Sequence, residues 1–459
     1  MSESVLSLLR DMRRAKKQGP AAVALRQRTR LAEMVSFARA NSPYFRELYQ
    51  GLPERIEDTT VLPVTNKKKL MTRFNDWVTD RDVTIEKVRA FVDNPDLVGE
   101  RFLGHYAVFT TSGTTGYPGI FLVDDRAITV NVALTSRMLS AWLSVGDLIR
   151  ILVRRGRWAM VIATGGHFLV FAGATRLFKR SRWSRKAIPI RFFSVHTPLP
   201  EMDAQLNQFR PAWVTGYGSV ISLLAGEQTA GRLRIEPVLV QPEGETLTAA
   251  DYDRIATVFN AKVRDAYGAT ECPFLSYGCE YGWYHVNSDW VVVEPVDANY
   301  QPVPPGEQSH TVLLSNLANR VQPILRYDLG DGILERPDPC PYGNPLLAIR
   351  VQGRSADVLT FHTEREEEVT IAPLVFGTLM DRTPGVELFQ IVQSTPTSLR
   401  VRLRPRSGSD PDVVWQTVHT ELTHLLSEHG LDHVRVDHAE EPPEQSPGGK
   451  YRTIIPLRR

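Results

Sequence analysis

Five short stretches of the 459-residue chain combine residue types that can handle phosphates, a sugar and an acid. Thr111-Ser112-Gly113-Thr114-Thr115-Gly116 offers hydroxyls and N–H groups on a backbone whose glycines let an anion come close. Donors without fixed charge suit a triphosphate that must bind, react and leave as pyrophosphate. The loop is not of the Walker type, because no Gly-Lys-Ser/Thr closes it. In Tyr267-Gly268-Ala269-Thr270-Glu271, the carboxylate can hold Mg²⁺ on phosphates and Thr270 can donate to an α-phosphate. A favourable acid at a helix N-terminus explains that pair equally well. Arg326-Tyr327-Asp328-Leu329-Gly330-Asp331 ends in an acid able to accept both hydroxyls of a ribose. Gly353-Arg354-Ser355-Ala356-Asp357 adds an arginine that can reach the same sugar, and Pro447-Gly448-Gly449-Lys450 sets a lysine on a glycine-rich loop. Each stretch taken singly also reads as an ordinary turn.

The elements that must position these residues are legible in the hydrophobic pattern. Leu6, Leu9, Met12 and then Leu31, Met34, Val35, Ala38 fall at helical spacing, with a break at Ser42-Pro43. From Tyr106 onward, short runs alternate with helical stretches: Ala107–Thr110, Ile149–Val153, Ala159–Ala163, Trp213–Thr215, Val238–Val240, Lys262–Asp265, Trp290–Glu294 and Thr311–Ser315. Strands punctuated by helices predict an α/β fold with mostly parallel sheets. Ser315 to Gly353 reads as loops and short antiparallel strands. A small α+β unit follows, with strands at Phe389–Val392, Leu399–Leu403 and Val434–Val436 and a helix over Val413–Glu428. The expected division is a helical segment at 1–105, a core at 106–353 and a small mobile C-terminal domain at 354–459.

With 54 Lys+Arg against 52 Asp+Glu, the net charge of +2 points away from nucleic acid. Three cysteines cannot build a disulfide framework, which favours a reducing, cytoplasmic setting. The uncharged run Trp158–Thr175 is interrupted by Thr164-Gly165-Gly166-His167 and falls short of the roughly 20 residues of a spanning helix, so no integral membrane segment is expected.

Together and in this order, the five stretches resemble the acyl-adenylate-forming superfamily, and most of all its phenylacetate–CoA ligase and capsule-biosynthesis branch. Arg30–Pro53, Leu62-Pro63-Val64-Thr65-Asn66-Lys67, Gly216-Tyr217-Gly218-Ser219 and Pro323-Ile324-Leu325-Arg326-Tyr327 look like that branch too. The resemblance implies an ATP- and Mg²⁺-dependent ligase that adenylates a small carboxylic acid and passes it to CoA. It assigns Thr111 and Ser112–Gly116 to the phosphates. Gly244, Glu245, Asp265, Ala266 and Tyr267 fall to the adenine, and Asp331 and Arg354 to the ribose. Lys450, with Thr270 and Glu271, becomes catalytic, and Asp357 the hinge. His167, Tyr217 and Gly218 would bind the acyl group, with Phe168, Trp158 and Trp213 as further aromatic candidates, suiting an aromatic or medium hydrophobic acid. A homodimer is the assembly expected by analogy.

Four features depart from the pattern. Tyr117 stands where many relatives carry a cation. The stretch Phe361–Val369 is acidic where close relatives are glycine-rich, and three glutamates facing a thiol tunnel would repel CoA. That leaves open an acyl-carrier protein or an amine as acceptor, or a degenerate homologue that binds nucleotide without catalysis. Cys279, His285 and Cys340 match three of four ligands of a zinc site, with Tyr342 in place of the fourth. Arg176–Arg191 carries seven basic residues and no acid, a solvated loop or an attractor of anionic partners.

Overall fold

The computed structural model describes residues 4–111, 119–162, 189–244, 247, 249–352, 359–363, 365–371, 373–406, 408–444 and 453–457. The amphipathic start folds as its spacing predicts. Ser4 and Ser7 cap each other at the head of helix Val5–Gln18, which turns Leu8, Met12 and Ala15 inward. Helix Pro20–Asn41 buries Leu31, Met34, Val35 and Ala38, and Ser42 ends it by capping the next helix, Pro43–Leu48.

Five strands form a parallel sheet in the order Ile190–Ser194, Trp158–Ile162, Trp213–Tyr217, Leu239–Glu243, Lys262–Val263. Side chains alternate across it. Ala159, Val161, Val214, Val240 and Val263 face a core shared with helices Leu199–Phe209, Gly218–Thr229 and Ala249–Phe259. Residues 359–454 contribute to the same core through Leu359, Phe376, Ile391, Val401 and Val418.

Parallel pairing is concentrated in that sheet. Ala107–Thr110 pairs antiparallel with Ile120–Val123, so the expected phosphate loop joins two strands of a hairpin. A second sheet runs Thr65–Asn66, Ile324–Asp328, Thr311–Asn316, Val291–Val296, with the last two pairings antiparallel. A third, Gly332–Glu335, Ala348–Gln352, Tyr284–Val286, Ser276–Gly278, is antiparallel throughout. The C-terminal unit centres on the antiparallel pair Val386–Thr395 and Ser398–Pro405, backed by helix Pro411–Glu428.

One expected strand is a helix. Ile149–Val153 lies within helix Val145–Val153, because Ser144 and Asp147 form a capping box and Asp147 also holds Lys262 Nζ at 2.7 Å. A built N-terminus overrides the β preference of an isoleucine–valine run whose side chains stay in water. Among the described residues, no helix is long and apolar enough to cross a membrane.

Candidate active site

Strand Lys262–Val263 leads into the stretch Asp265–Glu271, and the carboxyl ends of parallel strands are where open α/β sheets take ligands. Thr270 and Glu271 sit at the tip of a tight turn, not at a helix N-terminus. Ala269 and Cys272 exchange both backbone hydrogen bonds, at 3.2 and 2.9 Å, across them. The turn folds back so closely that a Cβ on Gly268 would lie 2.2 Å from the Pro273 carbonyl oxygen, so only glycine fits.

Glu271 is buried, and three elements orient it. Tyr327 donates its hydroxyl to Oε1 at 2.7 Å, Asn316 Nδ2 donates to the backbone carbonyl at 3.0 Å, and Lys67 Nζ stands 3.9 Å from Oε1. Burial, then the neighbouring Glu271 charge, pushes the Tyr327 phenol far up, so it remains a donor. A hydroxyl and a carboxylate form an all-oxygen donor set that suits Mg²⁺ carried in on phosphates.

Tyr267 meets the other stretch. Its hydroxyl donates to Asp331 Oδ2 at 2.9 Å, across 64 residues of chain. The intervening turn is shaped by Asp328, which accepts from Thr311 Oγ1 at 2.6 Å and Tyr300 at 2.9 Å. Asp265 is engaged differently: Tyr252 donates to it at 2.6 Å and Tyr284 donates to the same oxygen. Burial pushes the Asp265 carboxyl up against those hydrogen bonds. Ala266 packs with Trp142 and Tyr277.

Farther along the sheet edge, Tyr217 lies directly across from Glu243, and Gly218 opens the following helix. Gly244 takes φ +72° with its Cα face against the Tyr217 ring, 3.3 Å from a would-be Cβ. Trp158 and Trp213 do not stand beside Tyr217. They begin the same strands, about 13 Å away at strand rise, stacked with centroids 4.1 Å apart and tied by Trp158 Nε1 to Thr215 Oγ1. Thr111 accepts Gly119 N–H on its hydroxyl at 2.7 Å and closes the base of the hairpin loop.

Several expected positions lie outside the described residues: Ser112, Gly113, Thr114, Thr115, Gly116 and Tyr117; His167 and Phe168; 176–188 of the basic stretch; Glu245; Arg354 and Asp357; Lys450. Among the described residues no group of three or more His, Cys, Asp or Glu could hold a metal ion, so Cys279, His285 and Cys340 do not converge as a zinc site. His285 is buried, its Nδ1 3.4 Å from the Leu346 carbonyl, and burial holds its imidazole below the usual range. The three glutamates 366–368 are exposed on the turn and second strand of hairpin Leu359–Ile371.

Sequence reasoning did not single out Lys67, Tyr327, Gln241 or Glu243 as site residues. Tyr327 belongs to the Arg326–Asp331 stretch, and Glu243 immediately precedes Gly244, but neither spacing reveals a partner on another element.

No known family's sequence profile matches the chain. Protein CapK of Staphylococcus aureus is 29% identical over 162 residues, so the match spans about a third, 34%, of each protein. The structure of 2-hydroxyisobutyryl-CoA ligase with 2-HIB-AMP and CoA in the thioesterification state superposes with a TM-score of 0.56, at 21% identity over 95% of this chain and 89% of that one. An open conformation of the same ligase gives 0.52, at 20% identity over 95% and 91%. The chain shares that mixed α/β ligase fold over nearly its whole length.

Proposed function

We propose that this chain is an AMP-forming acid–thiol ligase of the acyl-adenylate-forming superfamily, in its phenylacetate–CoA ligase-like branch. It activates a carboxylic acid as the acyl-adenylate and transfers it to CoA. The observation that carries the reading is the meeting of two distant stretches, Tyr267 with Asp331 and Glu271 with Tyr327, through two hydrogen bonds on a ligase fold.

ATP, when bound, supplies an electrophilic α-phosphorus and a pyrophosphate leaving group. The residues of the chain bring the acid to it. Thr270 donates to the α-phosphate and Glu271 holds Mg²⁺, with Ser112–Gly116 on the outer phosphates. Asp331, oriented by Tyr267, takes the ribose together with Arg354. Gly244, Glu245, Ala266 and Asp265 flank the adenine, Asp265 through its backbone because two tyrosines occupy its carboxylate. Lys450 places a cation between two anions, a donor worth about 3–4 kcal/mol in the transition state. The unit at 354–459 then turns about Asp357 for thioester formation.

Pyrophosphate exchange tests this directly. Lys450→Ala abolishes acyl-adenylate formation and spares thioester formation from supplied acyl-adenylate; equal loss of both half-reactions would overturn the two-step reading. The exposed glutamates 366–368 favour a second reading, in which a carrier-protein thiol or an amine is the acceptor. Turnover that does not require CoA would establish it in place of the first.

A further inference from the structure

The wall of the parallel sheet at Tyr217 carries a polar pair that adenylation does not use. Residues two apart on a strand share a face, so the register puts Met160, Ile162, Thr215, Tyr217, Gln241 and Glu243 on one side. Met160 and Ile162 are buried and pack with Tyr217, a surface that suits hydrocarbon. Gln241 and Glu243 do not fit that description. Gln241 is 5% exposed and donates its amide to Glu243 Oε1 at 2.7 Å, while its own Oε1 finds no hydrogen-bond partner among the described residues.

Buried polar groups are almost always satisfied, and an unfilled acceptor near the carboxyl end of a parallel strand leaves room for a water, an ion or a ligand group. Burial pushes the Glu243 carboxyl up to about 7, opposed among the described residues by the Gln241 hydrogen bond alone. The two side chains together hold more acceptor capacity than their surroundings fill. No donor among the described residues fills the Gln241 oxygen.

We propose that Gln241 and Glu243 form a subsite for a hydrogen-bond donor on the acyl group, so that the acid activated is an amino or hydroxy acid rather than a plain hydrocarbon acid. This rests on the adenylation reading and departs from the expectation of an aromatic or medium hydrophobic acid. Ammonium and hydroxyl present the same donor chemistry, and they differ in whether they need a charged Glu243.

The test is pyrophosphate exchange by the full chain over sets of acids matched in carbon skeleton: hydrocarbon, hydroxy and amino. The wild type is expected to favour a donor-bearing member by roughly 100-fold or more in kcat/KM, since a site built around buried acceptors rejects an analogue that lacks the donor. Glu243→Leu erases that preference. Glu243→Gln keeps it for a hydroxy acid and loses it for an amino acid, and Gln241→Leu weakens it in a fold that keeps the carboxylate. A wild type that prefers the hydrocarbon acid leaves adenylation standing and removes the subsite, as does a preference that survives Glu243→Leu in a variant with native circular dichroism. No exchange with any acid takes down both readings.

Discussion

Two carboxylates, the buried Asp289 and the half-buried Glu243, are treated in opposite ways. Asp289 is fully buried, yet Arg137 grips it with both nitrogens at 2.8 and 2.7 Å, and Arg30 reaches its carbonyl at 2.6 Å while covering the Trp290 ring. Burial alone would push that acid up; the Arg137 charge holds it below the ordinary range. Glu243 has one amide partner among the described residues and is pushed up instead. The first arrangement ties helices Pro20–Asn41 and Asp125–Trp142 to the second sheet. The second leaves an energetic debt at a strand end. Asp289 is held by a cation of the chain itself, whereas Glu243 is held by an amide.

The comparison can be broken most severely at Asp289. Asp289→Ala strands Arg137 in the interior and is expected to cost about 3–5 kcal/mol in urea unfolding. Glu243→Gln has the opposite sign. Between its ordinary 4.5 and about 7, the unfolded chain loses a proton that the folded chain keeps, so stability falls as pH rises through that window. Removing the carboxylate should therefore stabilise the fold by about 3 kcal/mol above that window and by nothing at pH 4. A difference from wild type that is the same at both extremes would show that Glu243 carries no upward shift. Asp289 runs the other way, its contribution intact at neutral pH and draining away in acid. The smallest effect is expected at Tyr267→Phe, which removes one hydrogen bond worth about 1 kcal/mol. It should raise KM for ATP severalfold and leave kcat near its original value, as steady-state kinetics would report.

Strand positions were largely readable from β-branched runs: Ala107–Thr110 is matched to the residue, and Trp213–Tyr217 and Thr311–Asn316 to within two. Pairing direction was not, because a run such as Val291–Val296 looks alike whether its neighbour runs parallel or antiparallel. Ile149–Val153 has the composition of a strand and folds as a helix because of a cap whose acid finds Lys262 far along the chain. Residue type and order single out Gly268, Glu271 and Asp331 as candidates. Their partners are not singled out that way, since Tyr327 reaches Glu271 across 56 residues and Lys67 comes from a different strand–helix junction. Glu243 went unnoticed because the strand alternation that exposes it to Tyr217 runs through a proline.

The closeness of Gly268 to the Pro273 carbonyl limits what mutation can do to the turn that carries Glu271. A saturation library at 268 should return glycine alone among folded clones. Gly330 is left-handed, at φ +78°, but opens onto empty space, so asparagine should survive there. Of two glycines flanking one site, a single one is irreplaceable, and it is steric exclusion rather than backbone freedom that makes it so.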